Sequence, residues 1–218
     1  MNWPFPGLMP MRYGVILADP AWRYETYSEA GRGRSPDGAP ALNPDGRQGA
    51  PVRHYPTMTL PQLQALPVLH LAAQNCVLLM WAIDSMVPEA IDLGRHWGFT
   101  YKTVGFYWVK ERRDTRPRKY LHNMPPKDKQ FPLGMGHWTR GNPEQCLLFT
   151  LGAPPRLSAG VRKLIVAPRR EHSRKPDEQY PRIEALAPGP YAELFARQQR
   201  PGWDCWGNQV DRFQQEAA

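Results

Sequence analysis

Apolar residues in this chain gather into short uninterrupted runs rather than long amphipathic stripes. Tyr13 to Ala18 is too short for a helix and rich enough in branched residues for a buried strand, and it ends at Asp19-Pro20, so the strand delivers Asp19 to its C-terminal edge. Cys76 to Ile83, Thr100 to Val109, Gln145 to Leu151, Val161 to Ala167 and Tyr191 to Ala196 predict further strands, the last of these closing the series. Between them the spacing turns helical. Thr59 is placed to cap a short helix with Pro61 in its first turn and Leu60, Leu63 and Leu66 on one face. Ser85 is placed to cap a second helix running through Ala90 and Leu93 to His96, stopped by Gly98. Pro176 to Leu186 predicts a third, with Asp177 and Glu178 near its positive end. Strand and helix alternating, with strands apolar throughout, predict an α/β fold around a largely parallel sheet.

Length and composition narrow this picture. The 218 residues suit a single domain spanning 1–218. Residues 28–51 lose all periodicity and fill with Gly, Pro, Asp and Arg, which predicts a mobile loop. The longest apolar run, Cys76 to Ile83, has eight residues, whereas a membrane span needs about 20. No membrane partner is expected. The first residues show no basic stretch followed by an apolar core, so the expected location is cytoplasmic. Three cysteines, far apart and without a paired spacing, predict neither disulfides nor a metal site. Lys and Arg number 28 against 20 Asp and Glu, a net charge of +8 that suits a polyanionic partner. Lys110 to Tyr120 alone holds six basic and two acidic residues.

Open α/β sheets bind ligands beyond the carboxyl ends of their strands, and two such ends carry unusual polar groups. At Asp19-Pro20-Ala21-Trp22, the Asp19 carboxylate and the Pro20 carbonyl can accept the two hydrogens of an exocyclic amine, with Trp22 stacking on its ring. The same residues also make an ordinary strand-ending turn over a core tryptophan. At the other end, Glu193 is a natural acceptor for a pair of ribose hydroxyls, with Asn208 and Gln209 nearby in sequence. Glu193 and Arg197 also suit a surface ion pair. No GxGxxG fingerprint is present.

Several blocks together resemble the MT-A70 family of adenine N6-methyltransferases. They are Ile16 to Trp22, Tyr55 to Met58, Leu79 to Trp81, Trp108 to Lys110, Gly136-His137-Trp138 with Glu144, His172 to Glu178, Glu193 to Arg197, Pro201 to Trp203, and Trp206 to Asn208. The resemblance covers about residues 13 to 210. It implies a Rossmann-like methyltransferase sheet in which the catalytic turn precedes the main cofactor segment. It also implies transfer of methyl from S-adenosylmethionine to the N6 of adenine in nucleic acid, leaving S-adenosylhomocysteine. DNA is the expected substrate, with RNA as the alternative.

Carried over by position, Asp19, Pro20 and Trp22 would bind the amine, and Lys175, Glu193, Arg197, Asn208 and Gln209 would contact the cofactor. Tyr55 and Glu144 would border the adenosine pocket, with Trp108 and Lys110 beside it. Arg112, Arg113 and Arg116 would contact phosphates. The chain departs from the family's Asp-Pro-Pro-Trp at Ala21, but the accepting carbonyl belongs to Pro20, so transfer is expected to survive. A rival reading is a catalytically silent nucleic-acid-binding subunit, which the retained Asp19 and Trp22 disfavour.

Overall fold

The computed structural model describes residues 3–23, 57–112, 131–134, 138–171 and 173–213. Seven strands form one sheet: β1 Tyr13–Ala18, β2 Ala72–Ala82, β3 Thr100–Glu111, β4 Glu144–Leu151, β5 Leu164–Pro168, β6 Tyr191–Leu194 and β7 Trp203–Trp206. Their spatial order is β5-β3-β4-β2-β1-β6-β7. The sheet is mixed. β1 pairs in parallel with β2 and β6, β3 with β5, and β6 with β7, whereas β4 runs antiparallel to both β2 and β3.

The apolar runs are continuous because both faces of the sheet are covered. Side chains alternate along a strand, and here Ile16, Leu78, Met80, Leu147 and Phe149 fall in one core while Val15, Leu17, Val77, Leu79 and Trp81 fall in the other. Two helices, α1 Leu60–Gln64 and α2 Val87–His96, bury Leu63, Ala90 and Leu93 in the first core. A third, α3 Gln179–Leu186, adds Tyr180 and Ile183 to the second. Gly94 in α2 has no room for a Cβ, which would meet the Phe149 ring, so the helix lies directly on that aromatic.

Element ends depart from the sequence expectations for identifiable reasons. Thr59 does cap α1, in a reciprocal box with Gln62. Ser85 does not cap α2: it lies in a 3₁₀ turn, Asp84–Met86, and Met86 precedes a helix that opens with Pro in its first turn. α3 starts at Gln179 rather than Pro176: Asp177 and Glu178 form a turn ahead of it, with Gln179 N–H donating to Pro176 O at 3.3 Å. Tyr191 to Ala196 is not the last strand. Trp203–Trp206 pairs outside it, in a four-residue strand whose apolar run is interrupted by Asp204 and whose last three positions are only half-buried.

Candidate active site

The reversal of β4 decides what gathers at one sheet edge. The parallel strands present their C-terminal ends there, and β4 presents its start. Trp108 of β3 and Glu144 of β4 are paired in register, as are Ala82 of β2 and Gln145. Glu144 therefore reaches the edge where Asp19 leaves β1.

One ammonium joins the two carboxylates. Lys175 Nζ lies 2.9 and 2.8 Å from the two oxygens of Asp19 and 3.3 Å from Glu144 Oε2. Lys110 Nζ lies 2.6 Å from the other oxygen of Glu144. Both lysines also sit over indoles, Lys175 over Trp81 and Lys110 over Trp108. Burial pushes the Glu144 carboxyl up, but the Lys175 and Lys110 ammoniums overcome it and hold it at about 2. For Asp19, burial prevails over the Lys175 ammonium and the carboxyl is raised above its ordinary range. A carboxylate that shares its one bonded cation is stabilised less than one held between two.

The turn after β1 is fixed by backbone and indole bonds. Trp22 N–H donates to the Pro20 carbonyl at 2.8 Å, and Trp22 Nε1 donates to the Trp81 carbonyl at 3.1 Å. The strip around Met58 pairs with it: Met58 N–H donates to Ala21 O, and Arg23 N–H to Met58 O. Trp22 is 5 % exposed, so its indole supports the turn from the core side. Trp108 is likewise buried, with Nε1 donating 3.0 Å to Ala167 O, and it forms the floor under Lys110.

Glu193 occupies a second pocket of polarity at the end of β6. It is buried, and both its oxygens accept from the Tyr180 hydroxyl, at 3.2 and 3.0 Å. Burial raises this carboxyl to about 7 against the Tyr180 hydrogen bond, with the Asp19 charge adding to the rise. Arg197 is half-buried, and its charge acts on Asp19. Gly207 lies so close to Ala196 that a Cβ would strike its backbone, which presses the loop after β7 onto the turn after β6. Asn208 on that loop is exposed, and Gln209 accepts from Arg212 at 3.0 Å.

Between the two pockets stands a group that sequence reasoning assigned elsewhere. Asp177, expected as a helix-start acid, instead faces Arg170 at 2.6 Å, Arg200 at 3.3 Å and Arg174 at 3.8 Å. Arg170 also donates to the Lys175 carbonyl at 2.9 Å, and Arg200 lies 3.6 Å over the Tyr180 ring. The cluster thus ties the Lys175 loop to the Tyr180–Glu193 pair. Asn142 was also missed. Its amide exchanges two hydrogen bonds with the Lys110 backbone, 3.1 and 3.0 Å, and donates to Pro132 O at 2.9 Å.

The structure brings Asp19, Lys110, Glu144 and Lys175 into one network and links Glu193 to it through Tyr180, Arg200, Asp177 and Arg170. Arg112 is exposed just past β3. Tyr55, Arg113, Arg116 and the loop 28–51 lie outside the described residues. Among the described residues no group of three His, Cys, Asp or Glu is placed to hold a metal ion, and no helix is long and apolar enough to cross a membrane.

The MT-A70 family model matches residues 13–209. The chain is 32 % identical over 209 residues to the type II methyltransferase M.MunI of Mycoplasma sp, covering 94 % of this chain and 81 % of that protein. It is 32 % identical over 210 residues to the human N(6)-adenosine-methyltransferase catalytic subunit METTL3, covering 92 % of this chain but 28 % of that protein. To the human N(6)-adenine-specific methyltransferase METTL4 it is 28 % identical over 222 residues, covering 38 % of that protein.

Proposed function

This chain belongs to the MT-A70 family of methyltransferases, and we propose that it moves the methyl group of S-adenosylmethionine to the N6 amine of adenine in nucleic acid, with DNA as the substrate. The single domain is read as Rossmann-like, its catalytic turn preceding its cofactor segment. The observation that carries the reading is the Asp19–Lys175–Glu144 network at the sheet edge, within a family match that spans nearly the whole chain. DNA is favoured by the extent of the likeness to the type II methyltransferase, whereas the chain spans 28 % of the human adenosine methyltransferase subunit.

The N6 lone pair of adenine is delocalised into its ring, so the nitrogen is a weak nucleophile. Asp19 accepts one of its hydrogens, and the Pro20 carbonyl, which keeps a lone pair beyond its bond to Trp22 N–H, accepts the other. Two fixed acceptors favour a pyramidal nitrogen and stabilise the positive charge that develops on it. Lys175 then holds Asp19 in place, and Trp22 holds the turn rigid without offering an open face. Tyr55, Trp108, Lys110 and Glu144 border the base, and Arg112, Arg113 and Arg116 meet phosphates.

The donor set beside this edge suits the methyl donor. Glu193 retains lone pairs for hydroxyls, Arg197 offers a cation to a carboxylate, and Asn208 and Gln209 present amides. Bound there, S-adenosylmethionine supplies an activated methyl on sulfur.

Asp19→Ala is expected to lower methyl transfer at least a hundredfold while leaving S-adenosylmethionine binding in place. Transfer of labelled methyl to single-stranded DNA, duplex DNA and RNA measures it, with calorimetry for the donor. Equal transfer by wild type and variant would overturn the assignment of Asp19.

A further inference from the structure

Trp138 is the most exposed large apolar side chain among the described residues, at 106 % of its reference area, and its backbone lies in the left-handed region at φ 62°. A bulky residue rarely adopts that conformation, which costs of order 1 kcal/mol or more. Here the strain goes with an indole held in water. It is not an isolated projection. Leu133 is 72 % exposed as well, and its neighbour Gly134 is joined to the Trp138 stretch by Gly134 N–H to Gly141 O at 2.6 Å.

Asn142, just past the Trp138 stretch, is pinned to the sheet edge. Asn142 binds the Lys110 backbone on one side and Pro132 O on the other, and Lys110 holds Glu144. Trp138 therefore lies four residues from a position tied to the Asp19 network. Its neighbours along the chain carry one sign of charge. Residues 131–143 contain no Asp or Glu, Arg140 is exposed on the same stretch as Trp138, and Arg112 is exposed where β3 ends. An exposed ring with exposed arginines on the same stretch and at the end of β3 fits a ligand with π faces and negative charge.

We propose that Trp138 is a stacking platform for an unpaired base next to the target adenine, with Arg140 meeting the adjoining phosphate. This deepens the reading of the preceding subsection by adding a contact outside the reacting pocket. A base pulled from a duplex, or presented single-stranded, leaves neighbours with an open π face. Stacking on an aromatic side chain accepts any base, so Trp138 adds affinity without fixing a sequence.

The test is titration of the full chain with a labelled single-stranded oligonucleotide containing adenine. Trp138→Ala is expected to weaken binding about tenfold, Trp138→Phe to restore most of the loss, and the salt dependence to stay unchanged. Arg140→Ala is expected to flatten that salt dependence by about one ion instead. Wild-type affinity in Trp138→Ala, or equal losses in the Ala and Phe variants, overturns the proposal. So does sedimentation showing a wild-type dimer that Trp138→Ala dissociates, since the indole then serves a second copy of the chain. Oligonucleotide binding through Trp138 without methylation of any adenine would sink the enzymatic reading and leave this one standing; methylation with unaltered affinity in Trp138→Ala would do the reverse.

Discussion

Glu144 and Glu193 are two carboxylates withdrawn from water at the same sheet edge, and the fold treats them oppositely. Glu144 lies between two lysine ammoniums and is held at about 2. Glu193 has a tyrosine hydroxyl as its bonded partner and is raised to about 7. Burial alone would neutralise both. What separates them is the formal charge of the neighbour: a hydroxyl only trims the desolvation cost, whereas two cations exceed it. One region is thus a fixed charge network, and the other a group poised to exchange a proton near neutrality.

The most severe way to break this contrast is to remove the shared cation. Lys175→Met leaves Asp19 without its ammonium and Glu144 with one lysine, and is expected to cost about 3 kcal/mol of stability in urea unfolding at neutral pH. An unchanged unfolding midpoint would show that the network is solvated in solution.

A finer comparison exchanges each carboxylate for its amide and follows stability across pH. At neutral pH, Glu144→Gln is expected to cost about 2 kcal/mol by leaving two lysines short of a counter-charge. Glu193→Gln is expected to cost less than about 1 kcal/mol, since that carboxyl is already half protonated near pH 7. The pH limbs differ in sign. Glu144, depressed in the fold, contributes stability above its unfolded value of about 4.3 that is lost as pH falls toward 2. Glu193, raised in the fold, contributes fully below about 4.3 and loses that contribution as pH rises through 7. Each amide variant should erase its own limb, and loss of the wrong limb would reverse the assignment.

The smallest effect belongs to the tie between the two regions. Asp177 is 43 % exposed, so its three arginine contacts are screened and Asp177→Asn is expected to cost only about 1 kcal/mol. Hydrogen exchange should nevertheless quicken at residues 173–178. Unchanged protection there would show that Arg170 holds the Lys175 carbonyl without help from Asp177.

Much of the scaffold was legible in the sequence, because strands buried on both faces leave unbroken apolar runs, as in Tyr13–Ala18 and Cys76–Ala82. The Thr59 cap was legible because its partner Gln62 lies three residues away. β7 was not, since Trp-Asp-Cys-Trp at a sheet margin lacks such a run. Asp19 and Glu193 were legible as carboxylates near strand ends, whereas Lys175 and Glu144 came from resemblance. Their grouping came from neither, because the contacts join residues 156 apart and depend on the antiparallel course of β4. Asp177 was misread for the same reason: Arg170 and Arg174 precede it closely, but Arg200 arrives from beyond β6.

The reversed strand has one more effect. A parallel crossover carries the chain back to the far edge of a sheet, but the connection from β3 to β4 starts and finishes on the reactive side. Its two ends are stapled together by Asn142. The Asn142 bonds involve none of the residues that hold Glu193. A change at either set of contacts is therefore expected to leave the other in place.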